Sequence, residues 1–241
     1  MTKSISVCMS VFGKSKYLSS QLESIINQTV KIDELIVVED FSGKESPKKL
    51  IQETCSLKNI KLVYFKLRRN AGPHESFRLA ISNSNGDIIF LADHDDIWSL
   101  DRVEKVIPYH DKSILVLSNG LFYEKNKPEK RIYKNLEFNI FKIIERNKFI
   151  GATFSIEGNF ARNLSKFLSF YPMHDWVIYL ASLLLKKNIH LTDEDLFFYR
   201  RHSETYTGRK KNGLIRKLQY RLFIIKNLFV ILLSANKLNK S

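Results

Sequence analysis

Four short clusters of charged and aromatic side chains have the residue types that chemistry needs. The densest is Asp93-His94-Asp95-Asp96. Three carboxylates in four residues repel one another, and the usual compensation is solvent or a bound cation. A divalent metal is the natural partner, with one or two carboxylates and substrate phosphates sharing the ion. An EF-hand is excluded because the fifth and sixth positions counted from Asp93 are Ile97 and Trp98, where an oxygen ligand and a glycine are required. The other reading of this cluster is an acidic turn capping a helix over 99–106. Glu39-Asp40, followed by Phe41-Ser42-Gly43, is a second acidic pair that also fits an ordinary turn. His174-Asp175-Trp176 sets a carboxylate beside an aromatic ring. It suits a general base that takes a proton from an incoming hydroxyl, or a first-turn aspartate favoured by the helix dipole. In Tyr199-Arg200-Arg201-His202, cationic and imidazole groups follow Phe197 and Phe198; alone this is a basic surface cluster.

Elements able to position these clusters flank them. Residues 5–11 form an apolar strand-like run, 17–27 an amphipathic helical pattern, and 34–38 a short run rich in β-branched residues. Helix 48–54, strand 60–66, helix 76–83 and strand 87–92 follow. The first hundred residues thus alternate βαβαβαβ, the pattern of a mostly parallel sheet with helices on both faces. Ligands bind such sheets at the carboxyl ends of the strands. Both acidic clusters end predicted parallel strands, so they are expected on one edge. Beyond Asp101 the pattern loosens into strands over 115–118 and 150–156 and helices over 138–147 and 176–187. No repeat or low-complexity linker separates the halves, so residues 1–208 are expected to form one domain, followed by a distinct tail over 209–241.

The segments Ile5-Ser6-Val7-Cys8-Met9, Tyr17-Leu18, Gln21-Leu22, Ser24-Ile25, Gln28-Thr29, Glu39-Asp40-Phe41-Ser42, Arg69-Asn70-Ala71-Gly72, Phe77, Gly86-Asp87 and Asp93-His94-Asp95-Asp96-Ile97-Trp98 come in a specific order and spacing. Together they resemble family-two inverting glycosyltransferases of GT-A fold. His174-Asp175-Trp176 and Tyr199-Arg200-Arg201-His202 resemble the rhamnosyltransferase-like branch, which serves bacterial surface polysaccharides. The resemblance covers most of residues 5–208. It implies an α/β, Rossmann-like, mostly parallel mixed sheet, with residues 1–100 as the nucleotide-sugar-binding half and 101–208 as the acceptor-binding half.

Carried over by position, the resemblance implies that Asp40 binds the nucleotide base, that Asp93 lies near the ribose, and that Asp95 coordinates Mn2+ or Mg2+ on the diphosphate. His202 would contact the metal or diphosphate from the C-terminal side, with Arg201 or Arg200 helping to neutralise it. Asp175 would be the base, and Trp98 and Trp176 would wall the donor and acceptor pockets. Val11-Phe12-Gly13-Lys14 departs from the family's Thr-Tyr-Asn-Gly stretch, although Phe12 can still stack on a base. The chemistry suits these residue types: a metal stabilises charge on the leaving phosphates, and a base on the opposite face allows one inverting displacement. Glycoside hydrolysis, the nearest carboxylate chemistry, instead pairs two acids across the bond and needs no metal. By resemblance the first donor to consider is dTDP-rhamnose, with a glycan or lipid-linked saccharide as acceptor.

The chain of 241 residues, 44% hydrophobic, is long enough for a substantial core. Its net charge of +14 is uneven: from Arg209 to Ser241 there are nine Lys/Arg and no Asp/Glu. In that tail Leu214, Leu218, Leu222, Ile225, Phe229 and Leu232 recur at helical spacing beside Arg216, Lys217, Arg221 and Lys226. A basic amphipathic helix is expected, lying on the anionic inner leaflet of the cell membrane. Packing on the body and homodimer formation are its alternatives. The apolar stretch from Leu228 is too short to span a bilayer, which takes about 20 residues. Cys8 and Cys55 form no CxxC pair, and the N-terminus lacks the apolar core of a secretory signal, so a cytoplasmic location is expected. A nucleic-acid-binding protein would explain the charge, but acidic clusters at the presumed binding edge would repel phosphates, so no nucleic-acid partner is expected. A nucleotidyltransferase on a similar sheet is a third reading, distinguished by pyrophosphate as product.

Overall fold

The computed structural model describes residues 3–124, 127–202 and 213–238. Its elements, in chain order, begin β1 (Ile5–Val11), α1 (Leu18–Ile26), β2 (Glu34–Glu39), α2 (Lys48–Leu57), β3 (Lys61–Lys66), α3 (Pro73–Ser82) and β4 (Ile88–Asp93). β1, β2 and β4 are continuous apolar runs because both sheet faces are covered. Ile5, Val7, Met9 and Val11 point into one core with Leu18, Leu22 and Ile25 of α1, while Cys8 points into the other with Phe77 and Ala80 of α3. β3 begins and ends on exposed lysines and forms one edge of the sheet, as edge strands commonly do.

The second half comprises β5 (Ile97–Trp98), α4 (Arg102–Val106), β6 (Leu115–Leu117), β7 (Gly120–Glu124), β8 (Lys127–Arg131), α5 (Ile140–Glu145), β9 (Phe154–Glu157), α6 (Gly158–Phe167), α7 (His174–Leu184), β10 (Ile189–Leu191) and β11 (Phe197–Arg200). Among the described residues, a seven-stranded sheet runs β10-β6-β9-β4-β1-β2-β3 and a second sheet runs β5-β11-β7-β8. Within the first, only β9 is antiparallel to its neighbours, lying between β4 and β6. The architecture is therefore α/β with a mostly parallel mixed sheet flanked by helices.

Four differences from the sequence expectations have local causes. The strand expected over 150–156 begins only at Phe154, because Gly151–Thr153 turn as a 3-10 helix. The helix expected over 99–106 is α4, and none of the Asp93–Asp96 carboxylates caps it. α6 was not foreseen; the Glu157 side chain starts it by accepting from the amides of Asn159 and Phe160. The β7–β8 pair was also missed, since its second strand is charged along its length.

The tail helix α8 (Leu214–Leu233) is followed by α9 (Ala235–Leu238); the tail's start at 209–212 lies outside the described residues. α8 packs against α7 and α5. It does so through Ile224 and Ile231, both fully buried, with Asn227 donating to the Tyr171 carbonyl at 3.2 Å. The stripe predicted from spacing, from Leu218 to Leu232, is the opposite face and stays exposed.

Candidate functional site

Parallel pairing puts the ends of β2 and β4 on one edge: Glu39 is in register with Val11, and Asp93 with Ser10. The turn after β4 then carries Asp95, whose Oδ2 lies 2.9 Å from His202 Nε2. Both side chains are largely enclosed, and the His202 ring leans on Tyr17 at 4.4 Å. His202 arrives because β11 pairs with β5, setting Phe198 opposite Ile97. On its other side β11 runs against β7, where a Cβ on Gly120 would lie 1.7 Å from the Phe197 carbonyl oxygen; only glycine fits there. One strand thus delivers residues about a hundred positions downstream to the acidic turn.

Asp96 is fully buried and accepts from the Arg200 amide at 3.0 Å through Oδ1, while Oδ2 has no hydrogen-bond partner among the described residues. Beneath it lies the buried guanidinium of Arg102, 4.0 Å from the Trp98 ring and bonded to Ser118 Oγ and the Ala152 carbonyl. Burial lowers the Arg102 pKa to about 9, against the opposing pull of Asp96. Burial followed by the charges of Asp95 and Asp93 pushes Asp96 well up. Asp93 is also raised, first by burial and then by the charges of Asp95 and Asp175. Asp93 therefore lies in the field of both the acidic turn and α7.

Asp175 sits in the first turn of α7 and is 2% exposed. Its Oδ1 accepts from the Trp176 amide at 2.7 Å and from Asn147 Nδ2 at 2.9 Å, and the Gly151 amide also donates to the carboxylate. These bonds favour the anion, but burial outweighs them and raises its pKa to about 6. Neighbouring His174 is buried against Phe77, with neither ring nitrogen partnered among the described residues; burial lowers its pKa to about 3, so it is neutral. A cavity of about 340 Å3 is lined by Tyr133, Lys134, Asn135, Glu137, Lys148 and Phe149 among others, and Phe149 stacks on Tyr179 of α7 at 3.7 Å.

At the end of β2, the buried Asp40 accepts from the amides of Phe41 and Ala71 at 2.9 Å and of Gly72 at 2.8 Å. It ties the loop after β2 to the loop before α3. Gly13, at φ +72°, lets the loop after β1 close on Ser42, where a Cβ would come within 2.5 Å of the hydroxyl. Phe12 and Phe41 stay exposed beside this junction.

The structure thus gathers Asp93, Asp95, Asp96 and His202 at one turn, with Asp175 in electrostatic reach and Asp40 and Phe12 along the same edge. It does not bring Arg201 in: that guanidinium lies 4.0 Å over Phe122, whereas Arg200 lies over Tyr17 and touches Ser20. Trp98 and Trp176 are buried core rings, one against Arg102 and the other donating to the Ile143 carbonyl at 2.7 Å, rather than open pocket walls. Sequence reasoning passed over Asn147, Arg102 and Tyr17 as site residues. Nothing near Asn147 or Arg102 in the chain signals contact, while the pattern match at Tyr17 signalled only a helix start.

No group of three or more His, Cys, Asp or Glu among the described residues is arranged to hold a metal ion by itself. The juxtaposed Asp95 oxygen and His202 nitrogen form a two-donor set that leaves other positions to phosphate oxygens and water. This pair, at the acidic turn, fits a magnesium- or manganese-type site completed by substrate phosphates.

Residues 6–168 match the family described as Glycosyl transferase family 2. An uncharacterized glycosyltransferase of Methanocaldococcus jannaschii is 30% identical over 149 residues, 57% of this chain and 51% of that protein. The Escherichia coli UDP-Gal:alpha-D-GlcNAc-diphosphoundecaprenol beta-1,3-galactosyltransferase is 29% identical over 140 residues, 56% of this chain and 50% of that one. The chain thus spans about half the length of these relatives. Among solved structures, Staphylococcus aureus TarS in complex with UDP-GlcNAc superposes with a TM-score of 0.73 at 16% identity, covering 93% of this chain and 66% of that one. A Pyrobaculum calidifontis mannosyltransferase in complex with GDP-Man and Mn2+ gives 0.61 at 12% identity, covering 99% and 74%. At these identities the structural likeness speaks for the fold alone.

Proposed function

The chain belongs to glycosyl transferase family 2, and from that premise we propose that it transfers a sugar from a nucleotide-sugar donor to a glycan or lipid-linked saccharide in bacterial surface polysaccharide synthesis, with inversion at the anomeric carbon. The observation that carries the reading is that Asp95 Oδ2 and His202 Nε2, about a hundred positions apart in the chain, meet at 2.9 Å just beyond the carboxyl end of β4. That pair suits a leaving diphosphate, and Asp175, within electrostatic reach of Asp93, suits an incoming hydroxyl.

In this reading Asp95 and His202 hold a divalent ion, Mn2+ or Mg2+. When bound, that ion neutralises charge on the departing phosphates. Asp40 and Phe12 border the base, Asp93 the ribose, and Arg200, over the Tyr17 ring that packs on His202, adds positive charge near the diphosphate. Asp175, with a pKa near 6, is mostly ionised at neutral pH and takes the proton of the attacking hydroxyl. Asn147 holds its carboxylate in place. The cavity beside Phe149 and Tyr133 is the acceptor's approach. Residues 1–208 act as the catalytic domain and 209–241 as an accessory tail on the inner leaflet. The named E. coli relative acts on a diphospholipid-linked sugar, which supports a lipid-linked acceptor.

A panel of sugar nucleotides, dTDP-rhamnose first, incubated with and without Mn2+ tests the proposal. Metal-dependent release of nucleoside diphosphate with sugar transfer is expected. Pyrophosphate as the product would replace it with nucleotidyl transfer. Donor-independent, steeply salt-sensitive DNA binding without turnover would replace it with nucleic-acid binding.

A further inference from the structure

α8 has two apolar faces, and the body uses only one. Ile224 and Ile231 are sealed against α7 and its neighbours, whereas Leu218, Leu222, Phe229 and Leu232 are 57–63% exposed on the far side. At roughly 100° per residue, Leu218, Leu222, Ile225, Phe229 and Leu232 fall within about 100° of arc, with Arg221 at one border and Lys226 at the other. On α5, whose last residue Glu145 accepts through its carbonyl from the Arg221 guanidinium, Phe141 is 80% exposed one turn earlier. No helix among the described residues is long and apolar enough to cross a membrane, so this face suits lying on a surface rather than spanning one.

We propose that the outward face of α8 is a docking surface for an anionic lipid bilayer. Charge selects this occupant. Residues 213–238 contain Arg216, Lys217, Arg221, Lys226 and Lys237 and no Asp or Glu. A second copy would set cation against cation along the helix, whereas anionic headgroups neutralise the cations beside the apolar stripe. The docked face adjoins the catalytic cleft: α5, which touches α8 through Arg221, gives its Ile143 carbonyl to Trp176, and Asn147 just beyond it holds Asp175. The bilayer surface is thus one short helix from the general base. This deepens the proposed function and rests on it only for what the docking serves, which is delivery of a lipid-linked acceptor.

The test is flotation of the full chain with vesicles of phosphatidylglycerol and phosphatidylcholine in about equal parts, against phosphatidylcholine alone, at low and high salt. Leu222→Glu/Phe229→Glu is compared with wild type, with melting temperature and sedimentation measured on both. The wild type is expected to float with the anionic vesicles in a salt-sensitive manner. The double variant should partition at least about 100-fold less, since two apolar side chains that would enter the interface become charges. Its melting temperature and turnover of soluble donor should not change. Absence of wild-type binding, equal binding to neutral vesicles, or equal binding by the variant overturns the proposal. So does a wild-type dimer that the variant splits, which would assign the face to a second copy. Vesicle binding without turnover of any sugar nucleotide would instead sink the catalytic reading and leave the docking intact.

Discussion

Removing the Asn147 amide should move the acid limb of the rate profile. Asp175 accepts from Trp176, Asn147 and Gly151, and its pKa of about 6 is the resultant of burial pushing up and these bonds pulling down. Asn147→Ala deletes one bond to the anion, worth about 1.5 kcal/mol for a charged acceptor, which is close to one pKa unit. The base is active above its pKa and is lost as pH falls through it, so the limb should rise from about 6 to about 7. At pH 6 half of the wild-type carboxylates are ionised against about one in eleven in the variant, a roughly fivefold slower rate; at pH 8.5 the two should nearly coincide. The assay is kcat against pH at saturating donor, acceptor and metal. A rate lowered equally at every pH would mean that Asn147 only supports the fold, and an unmoved limb would mean that Asp175 is not the titrating base.

Further tests address the other parts. Asp175→Asn should keep donor affinity by calorimetry while single-turnover transfer falls about 10² to 10⁴-fold; a loss within threefold removes it as base. Asp95→Ala should abolish metal-dependent donor binding without lowering the melting temperature, because among the described residues the carboxylate bonds to His202 rather than to a core group; full activity under exhaustive chelation would refute the metal role. Gly120→Ala drives a methyl into the Phe197 carbonyl and should cost about 2–3 kcal/mol in urea unfolding, so an unchanged midpoint would argue against the β7–β11 contact. Ile224→Ala should cost about 2–5 kcal/mol and Leu222→Ala under about 0.5; the reverse order would mean that α8 docks through its other face.

Legibility followed the range of the interactions. β1 to β4 and the helices between them were readable because each is a local pattern: a doubly covered strand is an apolar run, and a helix packed on it shows one apolar face. Asp93 and Asp40 shared an edge by the same logic, since strand direction settles where strand ends lie. The antiparallel entry of β9 between β4 and β6 was not readable, because Ser155 finds Phe90 and Val116 only in space. Trp98 was expected at a pocket and lies in the core because the buried Arg102 needs its ring, a demand invisible four residues away in the chain. In α8 the periodicity found an apolar stripe correctly but could not say which of two such faces the body would take.

The neighbouring strands β6 and β9 meet with Leu117 opposite Phe154. Everything between those two residues, including the β7–β8 pair, the Tyr133 and Phe149 cavity wall, α5 and Asn147, leaves the central sheet and returns to it at the same place. Such an excursion is closed at its base like a purse string. Lengthening it costs only the slow logarithmic penalty of loop closure, about 0.6 kcal/mol per doubling. The segment can therefore change in length while β2 and β4, at whose ends Asp40, Asp93 and Asp95 lie, keep their register, provided that Gly120 and Asn147 stay to seat β11 and Asp175.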